Sequence, residues 1–229
     1  MHRLHISRKN SSLKEQVTNQ LRSAVLDGAL EPGQKLVERD LCEMLDISRT
    51  VLREALQQLV AEGLIISIPH RGPEVASITL KQAKNIYDVR QAIEALAVTC
   101  FVKNATDKQI SELKNTLHEL EAVLEGSTDS SILDIKNKFY KVLLDGCDNE
   151  ILLEMHTLLN NRINLLRRTS LSSKGRLKQT VAEINEIVSA IENRDAKLAS
   201  ELNAKHVAIA AEIAIGQLKQ KQNNASADN

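Results

Sequence analysis

Apolar residues in the first third of the chain recur at three- and four-residue spacing, first as Val17, Leu21, Ala24 and Val25 and later as Val51/Leu52, Ala55/Leu56 and Leu59. Both runs have the period of a helix with one buried face. Ser12-Leu13-Lys14-Glu15 reads as a capping box ahead of the first, and Ser48 as the cap of the later one. Between them, after the turn Glu31-Pro32-Gly33, Glu38 to Leu45 makes a short second helix, and Asp46-Ile47 turns the chain into the third. Gly63 stops that third helix. The pattern then becomes β-prone at Ile65-Ile66-Ser67-Ile68 and Glu74-Val75-Ala76-Ser77, joined by Pro69-His70-Arg71-Gly72-Pro73. Three helices followed by a basic-tipped hairpin predict a winged helix-turn-helix over residues 1–78.

From Thr79 onward the spacing is helical throughout. Six helices are predicted, over about 80–104, 107–125, 131–146, 149–170, 175–194 and 196–219. Capping boxes stand at Thr79-Leu80-Lys81-Gln82 and Thr106-Asp107-Lys108-Gln109, and a third cap is read at Ser131 to Asp134. Residues 220–229 read as a frayed tail. The expected fold class is therefore mainly α, a winged helix-turn-helix with a small β wing and then an all-α bundle of six helices over residues 79–229. With two Phe, two Tyr and no Trp in 229 residues, Leu, Ile, Val and Ala must fill that bundle.

Charge does not announce a nucleic-acid binder, because 30 Lys and Arg balance 30 Asp and Glu. DNA needs a local basic field, and the candidates are Arg39, Arg49 and Arg53, the wing residue Arg71, and an N-terminal stretch with Arg3, Arg8 and Lys9. No signal peptide or membrane-length apolar run is visible, so a cytoplasmic protein without membrane partners is expected. Cys42, Cys100 and Cys147 are odd in number, widely spaced and set in apolar helical patterns, which favours reduced cysteines over a disulfide or metal site.

Leu30-Glu31-Pro32-Gly33-Gln34-Lys35-Leu36, Glu38-Arg39-Asp40-Leu41, Ser48-Arg49-Thr50, Arg53-Glu54-Ala55-Leu56, Leu59 to Leu64, and His70-Arg71-Gly72 with Val75 together resemble the GntR family of bacterial transcriptional regulators. Val51 departs from that pattern, since most members carry Pro there. The resemblance implies that Arg39, Ser48, Arg49, Thr50 and Arg53 meet phosphates and base edges in the major groove of double-stranded DNA. The wing residues His70, Arg71 and Gly72 join them, with Arg71 and Gly72 reaching the minor groove. Arginine forks suit guanine or phosphate, hydroxyls suit phosphate, and a helix N-terminus favours an anion.

The second half resembles the FCD effector domain of the FadR subfamily, in its shorter VanR-like branch. The residues that carry this are Tyr87 to Glu94, Phe139-Tyr140 before Leu143, Glu183 with Ile187 to Ile191 and Asp195, and Ala204-Lys205-His206. Many such domains bind a divalent metal through an Asp and three His. The matching positions here are Lys136, Tyr140, Ile184 and His206, which leaves one ligand, so neither metal nor other cofactor is expected. A cationic pocket for a small carboxylate is expected instead, from Arg90, Lys136, Tyr140, His206 and Arg162, the last placed on the stripe Ile151, Met155, Leu158, Leu159 and Leu166. The bland alternative pairs Arg90 with a buried carboxylate such as Glu94. No catalytic constellation is visible, so the chain reads as no enzyme. The expected function is a homodimeric repressor on a palindromic operator, released by a small anionic metabolite. The second reading is a constitutive DNA-binding protein whose helical domain only dimerises.

Overall fold

Ser12 opens helix α1 (Leu13–Leu26), its Oγ accepting from Glu15 N at 3.2 Å, and Val17, Leu21 and Val25 line the buried face of that helix. Helix α2 (Glu38–Leu45) ends where Asp46 takes a left-handed φ of 50°, which swings the chain into α3 (Arg49–Ala61). Leu52, Ala55 and Leu59 on α3 are wholly buried, the two leucines each contributing about 1.5–3 kcal/mol by leaving water. Gly63, at φ 73°, then lets Leu64 N reach back to Leu59 O at 3.0 Å. Across this unit the Arg22 guanidinium grips Glu62 with two bonds of 2.8 and 2.7 Å, tying the end of α3 to α1. Strands β1 (Ile65–Ile68) and β2 (Gly72–Val75) pair antiparallel, Ile65 opposite Val75 and Ile68 opposite Gly72. Residues 33–36 add a short third edge to this hairpin, through Val75 N to Gln34 O and Leu36 N to Pro73 O, both 2.9 Å.

The computed structural model describes residues 12–123, 129–171 and 173–227. Arg3, Arg8 and Lys9 lie outside the described residues. The chain divides between Ser77 and Ile78 into two compact units. The second holds α4 (Leu80–Asn104), α5 (Asp107–Ala122), α6 (Asp129–Asp145), α7 (Glu150–Leu171), α8 (Arg176–Glu192) and α9 (Ala196–Ala227). Helix α4 packs along α9 and also meets α6 and α7, while α5 meets α6 and α8. Thr79 and Thr106 form complete capping boxes with Gln82 and Gln109. At the turn before α9, Arg194 donates to Val102 O (3.0 Å) and Ala105 O (2.7 Å) and pairs with Asp107 at 2.9 Å, so one side chain closes the C-terminal end of α4.

The bundle has two apolar cores. One gathers Ile93, Ala97 and Phe101 with α5, α6 and α8; the other gathers Ala83, Ile86 and Tyr87 with Ile163, Leu166, Val207 and Ala214. Both draw on α4, and on that helix Arg90 and Glu94 fall where one core gives way to the other.

The structure differs from the sequence reading at several ends. Helix α6 begins at Asp129, so Ser131 to Asp134 lies within the helix rather than capping it, and α9 continues to Ala227 instead of fraying after 219. Nothing in Gln220 to Ala227 is a helix breaker, and Leu218 still packs on the second core. The three cysteines are unpaired, Cys147 buried and Cys42 and Cys100 half-buried.

Gly146 gives a test of how tightly the first core is packed. A Cβ there would stand 2.5 Å from Cε2 and 2.7 Å from Cδ2 of the fully buried Phe101. Gly146→Ala is expected to cost about 1–3 kcal/mol in denaturant unfolding. At Gly216, inside α9, the same Cβ meets nothing within 4 Å, and Gly216→Ala is expected to stabilise by about 0.5–1 kcal/mol.

Candidate functional site

The nucleic-acid candidates occupy one helix start and one hairpin tip. Ser48 Oγ accepts from Val51 N at 3.4 Å, which leaves the first turn of α3 presenting Arg49, Thr50 and Arg53, all exposed. Arg53 Nε is held at 2.9 Å by Glu38, and Arg39 Nε lies 3.2 Å from Asp40. Both pairs are exposed and cost little to break, so each guanidinium can exchange its carboxylate for a phosphate. At the wing, His70 at φ 63° and Gly72 at φ 87° fold the tip back, with Arg71 exposed between them. A non-glycine at 72 would be strained by its backbone angle alone.

The bundle holds a second, wholly different site, a buried polar cluster centred on Glu94. This carboxylate has no solvent exposure and accepts from Arg90 Nε at 2.8 Å, Arg90 Nη2 at 3.3 Å and Arg167 Nη2 at 3.3 Å. Arg90 Nη2 also donates to Tyr140 Oη at 3.3 Å, and the Arg167 guanidinium lies over the Tyr140 ring, 4.2 Å from its centre. The His156 ring also stacks on Tyr140, with ring centres 5.6 Å apart, and its Nε2 lies 3.9 Å from Glu94. Glu183 anchors a second group. It takes two bonds from Arg176, of 2.6 and 2.7 Å, and stands 2.5 Å from His206 Nδ1. Glu183 and His206 also line a pocket of about 240 Å³ between α8 and α9, with Gln179, Lys205 and Ile209.

Positive charge exceeds negative here. Arg90, Lys136, Arg167 and Arg176 are each at most 3% exposed, and the two carboxylates that face them are already engaged. Arg90 Nη1, Arg167 Nε and Arg176 Nε are buried and find no acceptor among the described residues. The imbalance is felt by the weaker bases. Burial, and then Arg167 and Arg90, push Lys136 well below the usual lysine range. Burial, and then Lys136, push His206 down to about 3 despite the Glu183 contact. The carboxylates move the other way. Burial opposes the charge on Glu94, but Arg90, His156 and Arg167 outweigh it and hold the carboxyl well below its ordinary value. Glu183, likewise penalised by burial, is held at about 2 by His206 and Arg176. Burial and Glu94 raise Tyr140 to about 12.

Of the predicted pocket residues, Arg90, Lys136, Tyr140 and His206 are buried in this unit and electrically coupled to one another. Arg162 is not among them, and the reading of α7 is corrected. Arg162 is exposed, as are Ile151 (64%), Met155 (49%) and Leu158 (73%) from the stripe on which it was placed. The buried face of α7 is instead Leu152, His156, Ile163, Asn164, Leu166, Arg167 and Ser170. Helix α7 carries two stripes, and the more polar one faces inward because Glu94 binds its arginine. Arg167 and Arg176 are the functional candidates that hydrophobic patterning missed. The signal that could have found Arg167 was Glu94 itself, core-facing on α4 and in need of more than one cation.

The metal expected of many FCD domains does not fit these residues. Lys136, Tyr140 and Ile184 offer no anionic or imidazole ligand beside His206, and the surrounding charge is already positive. Among the described residues no group of three His, Cys, Asp or Glu could hold a metal ion.

A winged helix-turn-helix followed in the chain by a six-helix unit with a buried charged cluster defines the class of DNA-binding regulators with a separate helical domain. The protein families agree in both halves. Residues 13–75 match the gntR family of bacterial regulatory proteins and residues 85–209 match the FCD domain. The chain belongs to the GntR family of transcriptional regulators, in the group that carries an FCD domain. It is 27% identical to the regulator YdhC of Bacillus subtilis over 187 residues, covering 81% of this chain and 84% of that one. With McbR of Escherichia coli it shares 31% over 147 residues, 64% of this chain and 66% of McbR. The solved structure of E. coli McbR/YncC superposes with a TM-score of 0.76 at 25% identity, covering 93% of this chain and all of that one. No helix among the described residues is long and apolar enough to cross a membrane.

Removing the anion at the centre of the cluster tests its energetics. Glu94→Gln leaves Arg90 and Arg167 without their shared carboxylate and is expected to destabilise by about 3–5 kcal/mol in denaturant melts. The pH dependence has a definite sign. His206 and Glu183 both hold protons less tightly folded than unfolded, so their contribution is complete above about pH 6.5 and is lost as pH falls toward 3 and 2. Melting temperature is expected to drop progressively below pH 6.5, and His206→Asn to flatten the curve between about 6.5 and 4.5.

Proposed function

We propose that the protein is a homodimeric repressor that binds a palindromic operator and is released by a small carboxylate bound in its helical domain. The observation that carries the reading is the Ser48-capped start of α3, where exposed Arg49, Thr50 and Arg53 stand clear of the core that fixes the helix. Arg39, Ser48 and the wing residues His70, Arg71 and Gly72 complete the DNA-contacting set. Base edges are read by Arg49 and Arg53, while the Ser48 and Thr50 hydroxyls and Arg39 position the phosphates. The effector is held by Arg90, Lys136, Tyr140 and His206, joined by Arg167 and Arg176, whose unclaimed N–H groups are donors awaiting an acceptor. E. coli RspR and GlaR, both named as repressors, are relatives at 23% and 28% identity, which supports repression as the direction of control.

The second copy is proposed to pack on α7. Ile151, Met155 and Leu158 form an exposed apolar stripe at helical spacing, of the kind that a symmetric partner helix covers. A constitutive DNA-binding protein that only dimerises remains the second reading, and one observation favours it: Glu94 already satisfies part of Arg90 and Arg167 from within.

Arg49→Ala and Arg53→Ala are each expected to weaken operator binding by about 1–3 kcal/mol in gel-shift titrations while leaving helix content unchanged. Leu158→Glu is expected to shift sedimentation equilibrium toward monomer and, through lost bivalency, to weaken operator binding as well. Thermal melts against a panel of organic acids separate the two readings: a rise in melting temperature with at least one acid supports the ligand-responsive repressor, and none supports the dimerising protein.

A further inference from the structure

The outer face of α7 is symmetric in chemistry about Leu158. Ile151 stands as far before it as Leu165 stands after it, and Glu154 as far before it as Arg162 after it. Ile151, Glu154, Met155, Leu158 and Arg162 are exposed and Leu165 is half-buried. At 3.6 residues per turn these six positions share an arc of about 100°, while Arg167 points the opposite way, to Glu94. Neither Glu154 nor Arg162 has a hydrogen bond or ion pair among the described residues. They stand about 12 Å apart along the helix axis, so they do not pair with each other. An apolar row flanked by two opposite charges without partners is a surface prepared for a specific neighbour.

We propose that α7 packs antiparallel on α7 of a second copy, with the twofold axis at Leu158 and Glu154 of each chain paired to Arg162 of the other. The inference rests on the homodimer proposed above and names the direction and register in which its two chains meet. Charge decides the direction. In an antiparallel pair centred on Leu158, residues equally far before and after the centre meet at one height, so Ile151 faces Leu165 and Glu154 faces Arg162, each twice by symmetry. A parallel pair sets Glu154 against Glu154 and Arg162 against Arg162, and both contacts repel.

The same charges decide the register. Moving the centre of an antiparallel pair to residue 160 lays Arg162 on Leu158 and leaves Glu154 at the height of the buried Leu166, so both charges lose their partners. The symmetry also selects the occupant, because a second copy of this helix brings an arginine to the height of each glutamate by carrying the same sequence. Exposed ion pairs contribute little each, and here they choose among arrangements while Ile151, Met155, Leu158 and Leu165 supply the attraction. The inner face of α7 meets Glu94 through Arg167, so one rotation of the helix satisfies the buried carboxylate and presents the row to the partner.

The full-length wild type, Glu154→Arg, Arg162→Glu and the double variant carrying both changes are compared by sedimentation equilibrium at low salt. Each single reversal turns both symmetric pairs into like-charge pairs and is expected to raise the dimer dissociation constant about tenfold; the double variant, its charges exchanged, is expected to return to within about threefold of wild type. Added salt should weaken the wild-type dimer and strengthen the single variants, as screening of attraction and of repulsion requires. Helix content should not change, since neither side chain has a partner among the described residues of its own chain. Single reversals that weaken the dimer without recovery in the double variant would overturn the pairing. A wild-type dimer that Leu158→Glu dissociates but neither reversal weakens would overturn the register and leave the α7 homodimer standing. A wild-type dimer indifferent to Leu158→Glu and weakened instead by Leu96→Glu, at an exposed apolar position of α4, would overturn the α7 face and leave the homodimer. A wild-type monomer would remove both.

Discussion

Glu94 is the constraint around which the helical unit is arranged. A carboxylate with no solvent exposure must be surrounded by donors, and they are Arg90 one turn earlier on the same helix and Arg167 on α7, with Tyr140 on α6 as the shared neighbour of both. Satisfying it fixes the rotation of α7, because Arg167 can reach inward only if Leu158 and Arg162 turn outward. Two apolar cores on either side hold the helices at the spacing this network needs. The network over-answers its own demand, since two carboxylates face four side chains able to carry positive charge, and the proposed anion pocket rests on that surplus.

The DNA-binding unit solves the opposite problem. Its cations must stay wet and mobile until a phosphate arrives, so the fold anchors α3 by its back and leaves its first turn bare. Leu52, Ala55 and Leu59 do the anchoring, and the Arg22–Glu62 grip, partly shielded from solvent, fixes the far end. The ion pairs on the working side, Arg53 with Glu38 and Arg39 with Asp40, are exposed and exchangeable. Within one chain, arginine is therefore a buried structural charge in one unit and a solvated, exchangeable charge in the other. What separates the uses is the exposure of the partner carboxylate.

This contrast also explains what could be read from the sequence. The three helices of the winged helix-turn-helix were legible nearly to the residue, with α2 at Glu38–Leu45, the Ser48 cap and the Gly63 stop, because there local signals and burial point the same way, whereas the second wing strand runs Gly72–Val75 rather than Glu74 to Ser77. The capping boxes at Thr79 and Thr106 were legible for the same reason. The phase of α7 was not. Periodicity assumes that apolar residues face the core, and on α7 Ile151, Met155 and Leu158 face out while His156, Asn164, Arg167 and Ser170 face in. A buried carboxylate on another helix reverses the rule, and no window confined to α7 contains that information.

The same reversal governs the comparison with metal-binding relatives. An acidic ligand and its imidazoles stabilise a dication by surrounding it with negative and neutral donors. At the matching positions this chain has Lys136, Tyr140 and Ile184, while His206 keeps a carboxylate on Nδ1 and a free Nε2. A carboxylate on Nδ1 is what orients a ligating imidazole, and here the opposite nitrogen finds no partner among the described residues. In the proposed pocket, the scaffold that would present a metal to an anion presents arginines instead. A metal holds a carboxylate by coordination at one centre, whereas guanidinium groups on three helices hold it through several directed bonds. Arg90, Arg167 and Arg176 stand on α4, α7 and α8, so binding in the proposed pocket is expected to act on the packing of three helices rather than on a single point.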